Sequence, residues 1–169
     1  MELIRTTEQD IPSVMEIIRA GQRYFRQANI YQWVNNYPNE DIIKEDILKG
    51  YSYVLVHEGK IVATAAVAFD GEPTYEKIYD GNWLTDEEYG VIHRIAVAEE
   101  LKGQGIAGEL LKKVEELCRE RQVRSIKIDT HEDNKPMQRL MEKKGFVYCG
   151  IIYLESGSKR IAFEKVLRL

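Results

Sequence analysis

The stretch "AVAEELKGQGIAGELLKKVEELC", residues 96–118, decides how this chain is read. Gly103, Gly105 and Gly108 stand in it as G-x-G-x-x-G. An amphipathic helix follows, with Leu110, Leu111, Val114 and Leu117 in step. Upstream, "VIHRIAVA" is a strand. A glycine-rich turn between a strand and a helix is built for phosphate: glycine lets the backbone approach without a Cβ, and the helix start offers free N–H groups and a positive dipole end. A tight turn alone needs fewer glycines than this.

Working outward, the flanks are equally regular. "LIRTT" is an opening strand. In "DIPSVMEIIRAGQRYF", Ile11, Val14, Met15, Ile17 and Ile18 recur at helical spacing, with Pro12 in the first turn and Asp10 as the expected cap. "YQWVNNYPNE" interrupts, and "NEDIIKEDILKG" is a second helix between an Asn39 cap and a Gly50 stop. "YSYVLVHEGKIVATAAVAF" reads as two strands around a turn at Glu58-Gly59. The acidic stretch from Asp70 to Gly90 reads as a solvated surface excursion. After the long helix come the strand "SIKID", the short helix "NKPMQRLMEKKG", and the strands "FVYCGIIYL" and "KRIAFEKVL". The order β-α-α-β-β-β-α-β-α-β-β mixes hairpins with crossovers, so the sheet is expected to be mixed. A chain of 169 residues without linker or repeat is expected to form one domain.

The bulk numbers exclude some classes. A formal net charge of −4 argues against nucleic acid as partner. No apolar run approaches the ~20 residues of a membrane span. "MELIRTTEQD" lacks the pattern of a signal peptide, and Cys118 and Cys149 lie far apart, as in reduced thiols. A cytoplasmic location is the expectation. His57, His93 and His131 form no metal-ligand spacing, so no metal is expected.

The glycines admit two functional readings. The dinucleotide reading takes Asp129, which ends a later strand, as the ribose-binding acid. Against it, Glu99, Glu100, Leu101 and Lys102 separate the strand from the first glycine, and the strand carries His93 and Arg94. Too little α/β chain follows residue 103 for the usual sheet.

The second reading rests on Lys102, Gly105 and Ala107, which fit Q/R-x-x-G-x-G/A with lysine in first place. Asn134, Leu140, Glu142, Lys143, Gly145 and Phe146 fit N-x-x-A-x-x-L-Y-E-K-x-G-F. Together these motifs resemble the GNAT N-acetyltransferase superfamily, and the resemblance runs from the first strand to the last. It implies a mixed, mostly antiparallel sheet of about seven strands flanked by about four helices. It implies acetyl-CoA as cofactor, its pyrophosphate on Lys102, Gly103, Gln104, Gly105, Ile106, Ala107 and Gly108. Its pantetheine arm would lie along Ile95, Ala96 and Val97, with Asn134 bonding the arm or pyrophosphate. Asn134 also reads as a helix cap.

Acetyl transfer to an amine requires proton removal, and imidazole titrates close to neutral pH. His93 is the candidate base, sharing by alternation one face with Ile95 and Val97. The position four before Val97 also matches a catalytic histidine of arylalkylamine N-acetyltransferases, a GNAT branch. A hydrogen-bonded structural histidine is the plainer reading of the same residue. Where the family pattern has a tyrosine as general acid, this chain has Met141, so no acid is assigned. Tyr148 and Tyr153 lie on the next strand, and Lys135 and Arg139 on the preceding helix. Tyr31 and Trp33 fall where the family often covers its acceptor pocket. The expected activity is acetyl transfer to a primary amine of a small molecule or peptide by direct attack, in a protein compatible with a homodimer and without membrane or nucleic-acid partners. The alternatives are a non-catalytic acyl-CoA sensor on the same fold and an NAD(P)-binding oxidoreductase.

Overall fold

A computed structural model describes residues 1–169. Seven strands form one sheet: β1 (Glu2–Arg5), β2 (Ser52–His57), β3 (Lys60–Ala68), β4 (Tyr89–Val97), β5 (Ser125–Thr130), β6 (Val147–Tyr153) and β7 (Lys159–Val166), in the order β1-β2-β3-β4-β5-β7-β6. The pair β1–β2, joined through α1 and α2, is antiparallel, as are the hairpins β2–β3 and β6–β7 and the pair β5–β7. The β4–β5 pair is parallel, as its helical crossover requires. The helices are α1 (Ile11–Gln27), α2 (Glu40–Lys49), α3 (Ile106–Glu120) and α4 (Lys135–Lys143). The expected mixed sheet with four helices is thus what forms. No helix is long and apolar enough to cross a membrane.

The chain clusters into two compact units. The first comprises Met1–Val67 and His93–Val114. In it, Ile11, Val14, Met15 and Ile18 of α1 pack with Ile43 of α2 and Val54 of β2. Each buried side chain of this size contributes about 1.5–3 kcal/mol. Asn39 caps α2 by accepting the Ile42 N–H at 3.1 Å. Asp10 does not cap α1. Its carboxylate turns back to take the Thr7 N–H at 2.8 Å and the Thr7 hydroxyl at 3.1 Å, because Asp10 itself is already helical in φ and ψ.

The second unit comprises Ala68–Ile92 and Glu115–Leu169. Here the structure corrects the reading of residues 70–90 as a solvated excursion. Tyr75 is buried, and it packs with Val91, Ile152 and Ala162, flanked by Ile78, Trp83, Tyr89 and Leu154. The Tyr75 hydroxyl donates to Asp129 at 2.6 Å, and the Trp83 indole N–H donates to the Tyr75 carbonyl at 2.8 Å. Net acidity hid these aromatics: their partners lie on strands far along the chain.

Candidate active site

β4 carries the first part of the site. Its pairing with β5 covers Tyr89, Gly90 and Val91, and β4 itself runs on to Val97. From His93 to Val97 the strand is half-buried. Its regular pleat breaks at Arg94, which has φ +53°. A left-handed residue within a strand interrupts the two-residue alternation. The common face expected for His93, Ile95 and Val97 is therefore not supplied by strand periodicity.

Arg94 is held firmly in that conformation. Its Nε donates to Asp46 Oδ2 at 2.7 Å and its Nη2 to Asp46 Oδ1 at 2.6 Å. Nη1 donates to the Tyr37 hydroxyl oxygen at 3.0 Å. Burial opposes the guanidinium charge, but the Tyr37 and Asp46 oxygens outweigh it and keep the pKa above its ordinary value. Sequence reading missed Asp46 and Tyr37. The available signal was an arginine inside an apolar strand, which at burial demands a carboxylate partner.

Beyond β4, Glu99–Leu101 form a 3-10 turn and residues 102–105 a tight loop into α3. This turn is why the dinucleotide arrangement fails: its strand would enter the first glycine directly. Gly103 and Gly105 have φ of +80° and +79°, and a Cβ at either position would meet nothing within 4 Å. Both backbones are thus left-handed and openly approachable. The Glu109 N–H donates to the Gly105 carbonyl at 3.1 Å. In α-helix geometry this leaves the N–H groups of Ile106, Ala107 and Gly108 without intrahelical acceptors. Ile106 and Gly108 are buried, whereas Lys102, Gly103, Gln104 and Gly105 are exposed. The Lys102 ammonium sits 4.3 Å from the Tyr24 ring centre on α1, and Arg23 pairs with Glu99 at 3.5 Å. Both contacts tie the loop to α1. These features fit a diphosphate: free backbone donors, a helix start, no Cβ in the way and one exposed cation.

The α1–α2 connection carries Tyr31 and Trp33. Tyr31 is exposed. Trp33 meets Phe25 edge-on at 5.4 Å and packs against the first unit's core. Its ring also presses so closely on Gly21 that a Cβ there would lie 2.7 Å from it.

In the second unit, Asn134 is buried and caps α4, its Oδ1 accepting the Met137 N–H at 3.3 Å. Met141 is wholly buried on the same helix. The residue in the tyrosine position of the motif is thus a core side chain. Lys135 and Arg139 are exposed on α4. Tyr148 and Tyr153 are about half exposed, leaning edge-on against Phe163 and Tyr79 respectively.

Neither cysteine is built as a nucleophile. Burial pushes the Cys118 thiol up to about 12 and the Cys149 thiol up to about 11. The Cys149 thiol donates to the Val147 carbonyl at 3.3 Å.

Residues 16–146 match the sequence pattern of the Acetyltransferase (GNAT) family. A GNAT-family acetyltransferase from Streptococcus agalactiae 2603 is 32% identical, with a TM-score of 0.91 over 99% of this chain and 96% of its own. A GNAT-family acetyltransferase from Listeria monocytogenes 4b F2365 shares the fold at 17% identity and a TM-score of 0.76, covering 98% of this chain and 94% of its own. The ribosomal-protein-alanine N-acetyltransferase of Brucella melitensis shares it at 19% identity and 0.66, over 99% and 100%. No curated protein sequence matches.

Proposed function

Because the chain belongs to the GNAT acetyltransferase family, we propose that it moves the acetyl group of acetyl-CoA to a primary amine of a small molecule or peptide by direct attack. The observation that carries this reading is the pair of left-handed, openly approachable glycines, Gly103 and Gly105, at the start of α3. When bound, acetyl-CoA supplies an acetyl group activated as a thioester.

The chain's own residues do the rest. The N–H groups of Ile106, Ala107 and Gly108, the open backbone of Gly103 and Gly105, and Lys102 with Gln104 beside them hold the diphosphate. The main chain of Ile95, Ala96 and Val97 aligns the pantetheine arm and offers N–H donors to charge developing on the carbonyl oxygen. His93 Nε2 or Nδ1 takes the proton that the attacking amine must lose. The family resemblance assigns Asn134, whose oxygen caps α4, a role toward the cofactor. Tyr31 and Trp33 border the acceptor, Tyr31 by contact and Trp33 by holding the loop. Two buried, high-pKa thiols favour attack by the amine itself over an acyl-cysteine route. A cytoplasmic location agrees with those free thiols. A homodimer rests on the resemblance alone.

The test is thiol release from acetyl-CoA with an equimolar mixture of spermidine, tyramine, glycine and trialanine. Amine-dependent release is expected. His93→Ala is expected to lower the rate about a hundredfold and to flatten the acid side of the pH–rate profile. Calorimetric binding of coenzyme A without release would identify an acyl-CoA sensor instead. A profile unchanged in His93→Ala would remove His93 as base.

A further inference from the structure

We propose that Arg94 is a positioning residue, locked by Asp46 and Tyr37 to hold β4 in the left-handed turn that directs His93 on one side and the main chain from Ile95 to Val97 on the other. This rests on the reading of β4 as the acetyl-transfer strand.

A residue with a Cβ avoids φ near +53°, all the more inside a strand. Something must hold it there. All three guanidinium nitrogens are engaged: two fork onto Asp46 and the third reaches Tyr37. Asp46 is itself buried near the C-terminal end of α2, where its carbonyl accepts the Tyr51 N–H at 2.8 Å. Tyr37 adjoins Pro38, whose carbonyl accepts from the buried Gln22 side chain of α1 at 3.2 Å. One helix and the loop before it thus meet on one strand residue, and α1 steadies that loop through Pro38. A planar fork matched to a carboxylate fixes orientation as well as distance, which an ammonium cannot do. The loop carrying Tyr31 and Trp33 is tied by the same guanidinium to the strand that carries His93.

Arg94→Gly and Arg94→Ala separate this role from a merely structural ion pair. Both delete the guanidinium, but only glycine takes the left-handed conformation freely. The readouts are the His93 ring signals in 1H–13C NMR, identified by their loss in His93→Ala among three histidines, and thiol release with the amine mixture above. Arg94→Gly is expected to keep the His93 signals near those of the unaltered protein. It should also keep kcat about tenfold above that of Arg94→Ala, at similar acetyl-CoA KM. Asp46→Asn, which keeps the arginine, is expected to displace the His93 signals and lower kcat. Identical signals and rates in Arg94→Gly and Arg94→Ala would overturn the proposal. Should both fail to fold, Tyr37→Phe decides: displaced His93 signals support the proposal, and unmoved ones refute it. An unaltered protein without turnover would sink the transferase reading, while the NMR arm would still judge Arg94.

Discussion

Ser125 of β5 donates its hydroxyl to Glu164 of β7 at 2.7 Å, and neither side chain has any exposed surface. The same carboxylate accepts the Leu84 N–H and the Thr85 hydroxyl, each at 2.7 Å. One buried group thus fastens the segment before β4 to the sheet of the second unit. Glu164→Ala would leave three donors without an acceptor, and a loss of about 3 kcal/mol or more follows. Urea unfolding measures it. Limited proteolysis should cut first between residues 70 and 88.

The thiols make stability fall in alkali. Cys118 rises from an ordinary 9.0 to about 12, and Cys149 from 9.0 to about 11, chiefly through burial. The folded chain then keeps protons that the unfolded chain releases. Their contribution is full below pH 9 and declines as pH climbs toward the folded values. Burial and the Asp129 carboxylate push Tyr75 the same way. The urea midpoint should drop between pH 9 and pH 11, and Cys118→Ala should reduce the drop. Alkylation of the native protein by iodoacetamide at pH 8 should be far slower than in urea.

Gly105→Ala tests the loop proposed to hold the cofactor. The φ of +79° makes alanine unfavourable by about 1 kcal/mol. Nothing within 4 Å adds a clash, so the melting temperature should change little. The new methyl group stands in the open approach to the backbone. Calorimetry should therefore show coenzyme A affinity falling by much more than stability does.

Gly21→Ala probes the α1–α2 connection that carries Trp33. Its Cβ would come 2.7 Å from the Trp33 ring, so the indole must shift. Overpacking of this kind costs about 1–3 kcal/mol. A variant as stable as the unaltered protein would show that Trp33 is free to move.

Reading along the chain finds the elements, the mixed sheet and the glycine-rich loop before α3. Each is written in neighbours: Asn39 reaches Ile42, Gly50 ends α2, and Gly103 and Gly105 precede the helix they open. Capping and turn chemistry act over three or four residues, so reading along the chain finds them. Packing of the whole fold builds residues 70–90 on Tyr75 and Trp83 rather than leaving them solvated, and turns Asp10 to Thr7 rather than to α1. It alone brought Asp46, 48 residues away in the chain, onto Arg94. The physical reason is desolvation. A buried charge or hydroxyl takes whatever partner packing delivers, and burial depends on the whole fold rather than on adjacent residues.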